Sequence, residues 1–228
     1  MGYQLDWSIL WTYRELLFSG LVVTCELFLF SAFGALALGT LIGVARTGAW
    51  ITSRLISGTY VEVNRNTPLI VKVCFLYFVV GISPFNAAIL ALVIHQSAYI
   101  AEDVRAAIQS VPDGQIEAAT SSGLSRWRIV YHVILPQAWT IVLPAIVVEL
   151  IEILKNSSIA MVITVEELTF MSQQIDAITF RGFEVATAVT ILYLCLAWLI
   201  SRLSALYRAA VPASRLFVPT DRVHYPTA

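Results

Sequence analysis

Asp113-Gly114-Gln115-Ile116-Glu117-Ala118-Ala119-Thr120-Ser121-Ser122-Gly123 is a polar interruption of an otherwise apolar chain, and it runs on to Val133-Ile134-Leu135-Pro136. Its spacing predicts two short helices meeting at a tight corner. Asp113 has the chemistry of an N-cap, and Gly123 stands where a helix end needs a left-handed residue. Ser125 then caps a second helix that carries Trp127, Val130, Tyr131 and Ile134 on one face. Pro136 stops that helix or starts the next. Beside Glu117, the small pair Ala118-Ala119 lets another protein approach the backbone closely while the carboxylate fixes the register. The plainer alternative is an amphipathic loop between two membrane spans.

Around this corner the composition decides the class. Hydrophobic residues make up 58% of the 228 and charged residues 13%, whereas soluble domains carry about 25% charge. The chain therefore belongs in a lipid bilayer. Its net charge of −1 gives no reason to invoke nucleic acid. Cys25, Cys74 and Cys195 stand singly in apolar runs, so they read as small buried hydrophobes rather than redox or metal pairs. His95, His132 and His224 are scattered and suggest no metal site.

Residues 1–19 mix Trp7, Trp11 and Tyr13 with charges, as expected of a segment in the headgroup belt. They have no basic leader pattern, and the apolar run that follows is too long for a signal-peptide core. A first span is expected at about 20–45, with Ala35, Gly39 and Gly43 forming a small-residue stripe for helix packing. A polar turn at 46–54 leads to a long helical region at about 55–82. About 20 residues cross a bilayer, so this region is over-length and should break near Asn66-Thr67-Pro68. The third span covers about 85–108 and the fourth about 137–163, with Pro144 inside it. Thr164 and Glu167 have capping-box spacing, predicting a short helix at 166–179 outside the core. The fifth span is about 183–207.

The expected architecture is thus all-α: an integral membrane bundle of five transmembrane helices with a cytoplasmic helix at the corner. Residues 1–19 form an extracytoplasmic or interfacial segment, 20–208 the transmembrane domain with its loop at about 110–135, and 209–228 a cytoplasmic tail. With five spans, nine arginines fall on the side of the corner, against Arg14 and Arg181 on the other; Arg65, Lys72 and Lys155 lie within spans. The positive-inside rule then puts the corner and C-terminus in the cytoplasm and the N-terminus outside.

Glu117-Ala118-Ala119, three residues, Gly123, nine residues, then Val133-x-Leu135-Pro136 resembles the EAA loop of ABC importer permeases, with Val133 where the family usually has Ile. The resemblance extends along the chain. Residues 60–71, reading Tyr-Val-Glu-Val-Asn-Arg-Asn-Thr-Pro-Leu-Ile-Val, are similar to polar amino-acid permeases of the histidine and glutamine type. So are Ala98-Tyr99-Ile100-Ala101-Glu102-x-Val104-Arg105, Ile108-Gln109-Ser110-Val111-Pro112, Glu149-x5-Lys155-x2-Ser158 and Thr179-Phe180-Arg181-x-Phe183-Glu184.

The resemblance implies a type I ABC importer permease fold in a bacterial inner membrane. It implies two ATPase copies beneath a pair of permeases, identical or sister, and an extracytoplasmic solute-binding protein. Glu117, Ala118, Ala119, Gly123, Leu135 and Pro136 would form the ATPase-coupling surface, and substrate would be a polar amino acid or a close analogue. The chain has two lysines and no Gly-Lys pair, so it cannot form a phosphate-binding P-loop. ATP and magnesium would belong to the partner, with no cofactor in this chain.

Charges within spans are functional candidates by default. Glu62 and Arg65 either neutralise each other or shape the gate at the broken helix. Glu102 and Arg105, at the same spacing, brace the loop as an interfacial pair. Glu149, Glu152 and Asn156 share one helix face. In relatives that bind cationic amino acids the positions of Glu149 and Asn156 are both acidic, so Asn156 puts a cationic side-chain preference in doubt. Glu149 lines the path or is neutralised by Lys155, and Glu152 pairs with Lys155. His95 and Gln96 add hydrogen-bonding groups to the path, or His95 bonds a neighbouring helix. The rival class is a motor-independent carrier whose intramembrane carboxylates relay protons.

Overall fold

Long apolar runs satisfy their backbones in lipid within a single segment by forming helices, and the regular elements among the described residues are all helical. The computed structural model describes residues 4–48 and 50–210. The elements are α1 (Ser8–Thr12), α2 (Arg14–Thr47), α3 (Ile51–Asn66), α4 (Leu69–Cys74), α5 (Pro84–Gln109), α6 (Asp113–Ser121), α7 (Arg126–Ile129), α8 (Leu135–Asn156), α9 (Leu168–Thr179) and α10 (Gly182–Ala210). A π turn (Phe75–Val79) extends α4, a second (Val130–Ile134) joins α7 to α8, and a 3-10 segment (Ser157–Ile163) extends α8. The tail expected from 209 onward lies, beyond residue 210, outside the described residues.

Among the described residues, four helices are individually long and apolar enough to cross a membrane: Arg14–Thr47, Pro84–Gln109, Arg126–Ile163 and Gly182–Tyr207. The region expected to be the second span is two pieces, broken at Thr67 and Pro68, with Leu69–Val79 a shorter apolar helix. Register shows that these pieces carry the chain back. A Cβ on Gly34 would meet Val93, one on Gly39 would meet Ile100 and Ser97, and one on Gly43 would meet Val104 and Ala101. Contacts that climb together mean that α2 and α5 run parallel. Two parallel membrane-length helices require a return crossing between them, and residues 51–83 supply it.

The α2–α5 seam is the packing centre of the molecule. Ala35, Gly39 and Gly43 are buried, so the stripe serves close helix approach, which only small residues permit. Against the other side of α5, α8 runs antiparallel: Gln96 Nε2 donates to Glu149, while Ile108 shares a small apolar cleft with Leu135 and Ala138. Leu27, Leu92, Ile100, Ile153 and Leu154 fill the buried layers. Apolar side chains on the outer surface, such as Phe33 and Leu194, suit a lipid-facing wall.

Several expectations change. The polar turn expected at 46–54 shortens, because α2 continues to Thr47 and α3 already begins at Ile51. Residues 14–19 form the first turns of α2. The helix after 166 is not outside the core: Leu168, Met171, Ser172 and Ile175 are buried, one helical face wedged between α2 and α10. Its cap is also different. Glu167, not Thr164, is the N-cap, and its carboxylate accepts from the Thr169 and Phe170 backbone N–H groups at 2.8 Å each. Tyr193 Oη donates to the same carboxylate at 2.8 Å. Burial pushes this carboxyl above its usual range against the pull of those donors. Cys195 is exposed, and Cys25 and Cys74 are only part-buried.

Candidate functional site

The polar corner is built as two short helices. Gly123 has φ +77°, the left-handed conformation that lets the chain leave α6 after Ser122. Leu124 N then donates back to Ala119 O at 3.2 Å and Gly123 N to Thr120 O at 2.9 Å. Asp113 is the first residue of α6 rather than its cap, which is Pro112, and neither Asp113 nor Ser125 makes a side-chain capping bond. Pro136 stands in the first turn of α8 and so starts the next helix, which a π turn joins to α7 without a gap. Gln137 Nε2 donates to Gln115 Oε1 at 2.6 Å, tying α8 back to α6.

The pair Ala118-Ala119 divides. Glu117 and Ala118 are exposed, while Ala119 is buried at 9%, because neighbouring helical residues point about 100° apart. On the face that carries Trp127, Val130, Tyr131 and Ile134, Trp127 is 84% and Tyr131 69% exposed, while Ile129 on another face is buried. Glu117, Trp127, Tyr131, Leu135 and Pro136 therefore all lie open at one end of the bundle.

A second polar cluster runs up α5, where α3 and α8 flank it. Of the two readings open for Glu62 and Arg65, the mutual ion pair is not made. The Arg65 guanidinium lies instead over the Tyr99 ring, 5.1 Å from its centroid, and both charged residues line an open cleft of about 470 Å³. A helical i,i+3 spacing allowed the pair; the aromatic face on α5 competes for the cation. Glu102 does pair with Arg105, and Arg46 from α2 joins the same carboxylate, bracing two helices rather than one.

Glu149 accepts from Gln96, so these two expected residues come together. Lys155 pairs with Glu152 and leaves Glu149 aside. His95 bonds a neighbouring element: its Nδ1 lies 3.0 Å from Lys72 Nζ. Asn156 closes the last turn of α8.

Sequence reasoning passed over three members. Asp103 has Oδ2 buried with no hydrogen-bond partner, and Arg65 lies within electrostatic reach of both Asp103 and Glu149. Gln96, Tyr99 and Asp103 stand at i, i+3 and i+7, a face readable from spacing alone. Lys72 was visible as an intramembrane charge without a partner in sequence.

Charges at the ends of the spans segregate. Arg46, Arg54, Arg105, Arg126, Arg128 and Arg202 gather at the end of the bundle that carries the corner, where Ser53 bonds Ala45 O and Trp139 Nε1 bonds Tyr207 Oη. Arg14 and Arg181 lie at the other, where Arg181 donates to Gln4 O and Asp6 N to Glu184.

Parallel and broken spans around a polar seam, closed at one end by an exposed helical corner, define a multi-span membrane permease subunit. Comparison with known proteins then gives the family. Residues 35–213 match the binding-protein-dependent transport system inner membrane component. The glutamine transport system permease protein GlnP of Escherichia coli (strain K12) is 38% identical over 206 residues, spanning 87% of this chain and 94% of that one. The arginine transport system permease protein ArtQ of Bacillus subtilis (strain 168) is 31% identical over 196 residues, 83% and 90% of the two chains. A solved amino acid ABC transporter, crystallised with histidines, superposes with a TM-score of 0.85 at 33% identity, covering 92% of this chain and all of that one. The MetNI methionine ABC transporter, in inward-facing conformations, gives 0.75 at 25% identity over 88% of this chain and 99% of that one. The chain belongs to the family of binding-protein-dependent transport system inner membrane components. It is a multi-pass permease subunit of the inner membrane, and nothing among these relatives supports the motor-independent carrier.

Proposed function

We propose that this chain forms half of the translocation pathway of an ATP-driven importer for polar amino acids or amino-acid-like solutes. Its partners would be a second permease subunit, identical or sister, two copies of an ATPase that bind ATP with magnesium, and an extracytoplasmic binding protein. The names of its relatives, which concern glutamine, arginine and histidine, support the solute class. Asn156, where an acid would add a second charge to Glu149, favours a solute with a neutral side chain. Glu149 with Gln96, Asp103 and Arg65 would line the path. The six corner-end arginines support an N-terminus outside and a corner in the cytoplasm.

The observation that carries the reading is the exposed corner. Glu117, Ala118 and the Trp127–Tyr131 face leave a docking surface uncovered at the arginine-rich end. Ala119 supports it from within and Gly123 from the turn, and the exposed Leu135 and Pro136 continue it. Closure of the motor pair would push this corner, and the spans would rock as bodies to change which side the cavity opens on. Glu117→Lys reverses the charge at the docking surface. It is expected to lower ATP-dependent uptake about a hundredfold or more, the cost of a like-charge contact at an interface, with membrane levels unchanged. Normal uptake by that variant would remove the coupling role.

A further inference from the structure

Pro68 leaves a specific defect. In an unbroken helix the carbonyl of Asn64 would accept from the N–H four residues on, but that residue is Pro68 and has none. The last turn of α3 is therefore left with carbonyls that have no helical partner. Three side chains answer. Asn66 Nδ2 donates to Glu62 O at 2.8 Å, Thr67 Oγ1 to Val63 O at 2.8 Å, and Lys72 Nζ to Asn64 O at 2.6 Å. Lys72 reaches back across the break from α4, placing an ammonium at the negative end of the α3 dipole.

The same ammonium also touches α5, through His95 Nδ1 at 3.0 Å. An ammonium only donates, so Nδ1 accepts and the imidazole carries its proton on Nε2. His95 is held in turn against Tyr99, ring centroids 5.3 Å apart. On the other side of the break, Tyr60 Oη meets Ser97 Oγ at 2.8 Å. The first half of the broken helix is thus tied to α5 through Tyr60 and through Arg65 over Tyr99, and the polar strut of the second half is Lys72.

We propose that Lys72 is a positioning residue for transport: its ammonium caps α3 at the Pro68 break and, through His95, latches both half-helices to α5 so that the three move as one body. This rests on the alternating-access reading above. The latch needs a long donor-only side chain at position 72 and a lone pair at position 95, and neither has to touch solute.

The test uses the complete transporter, with its ATPase and binding protein, in proteoliposomes, in a Cys25→Ser/Cys195→Ser background that leaves Cys74 in α4 as the single native thiol. Lys72→Met should lower the maximal uptake rate about tenfold, the scale of one hydrogen bond to a charged group, with KM within about twofold. Cys74 should react several times faster with a membrane-permeant maleimide. Lys72→Arg, which keeps the charge and donors, should restore both. His95→Leu keeps the cap and cuts only the strut, so it should reproduce the Cys74 labelling and part of the rate loss, and the double variant should be no worse than Lys72→Met alone. Normal uptake and labelling in Lys72→Met, no rescue by Arg, or additive losses in the double variant would each overturn the latch. If Lys72→Met fails to assemble, His95→Leu decides: unchanged labelling overturns the proposal, faster labelling supports it. Absence of ATP-dependent uptake in the parent complex would instead sink the transport reading.

Discussion

The two sides of α5 are built on opposite principles. Toward α2 the contact is small-residue on branched-apolar, with Gly39 and Gly43 letting backbones close on Ser97, Ile100, Ala101 and Val104. Toward α3, α4 and α8 it is a handful of polar bonds: Tyr60 to Ser97, Lys72 to His95, Gln96 to Glu149. Close packing of the first kind has no nearby alternative arrangement. Polar bonds of the second kind are few and worth about 1–3 kcal/mol each; Tyr60 and Lys72 hold α3 and α4 to α5, while the Gln96–Glu149 bond toward α8 is the one that can exchange partners. A helix with one fixed side and one exchangeable contact suits a body that must carry its neighbours through a change of access.

The largest effect should come from breaking the fixed side. A Cβ at Gly39 would stand 2.7 Å from Ile100 Cβ and 2.9 Å from the Ser97 carbonyl oxygen, so backbone must give way. Gly39→Leu is expected to cost about 3 kcal/mol or more, read as loss of assembled complex or a sharply lower unfolding temperature in detergent. A stable variant would mean the seam is looser than its geometry.

Next comes the exchangeable contact. Glu149→Gln keeps the shape and the bond with Gln96 while removing charge, so assembly should be unaffected. Solute-stimulated ATP hydrolysis should fall about tenfold, the scale of one charge-assisted hydrogen bond. An unaffected solute response in a complex with two identical copies would remove Glu149 from the path. The smallest effect sharpens the contrast. Gly58 lies in α3 with nothing within 4 Å of an added Cβ, so Gly58→Ala should leave assembly intact and gain at most about 1 kcal/mol from helix propensity. Loss of complex there would show that α3 is packed as tightly as α2.

Much of the fixed side was legible. A stripe of small residues at i+4 steps names its own purpose, and Pro68 with its polar neighbours announced the break. Expected bounds of 85–108 for the third span met an observed Pro84–Gln109, since Ser83-Pro84 and the polar Ser110-Val111-Pro112 punctuate both ends. Gly123 read correctly because a positive φ leaves a strong residue preference.

The polar side was far less readable. Glu62 and Arg65 had pairing geometry within one helix, yet a ring on another helix took the cation. Lys72 finds its acceptors eight residues back and on α5, a combination that no local spacing encodes. Ala119 rather than Ala118 turns inward because of how α6 is rotated against its neighbours, which the sequence of the corner alone does not state. The helix at 168–179 is buried by α2 and α10, partners distant in sequence. Where one side chain chooses among several possible partners, tertiary placement makes the choice.

The central claim is that the corner at 113–135 faces the compartment where a motor can reach it. Ser121 is exposed there, and a cysteine at that position in a background without Cys25, Cys74 and Cys195 gives a single reporter. In intact cells carrying the full transporter, a thiol reagent unable to cross the bilayer should leave it unmodified, and the same reagent should label it once the cells are opened. Labelling from outside in intact cells would contradict the account.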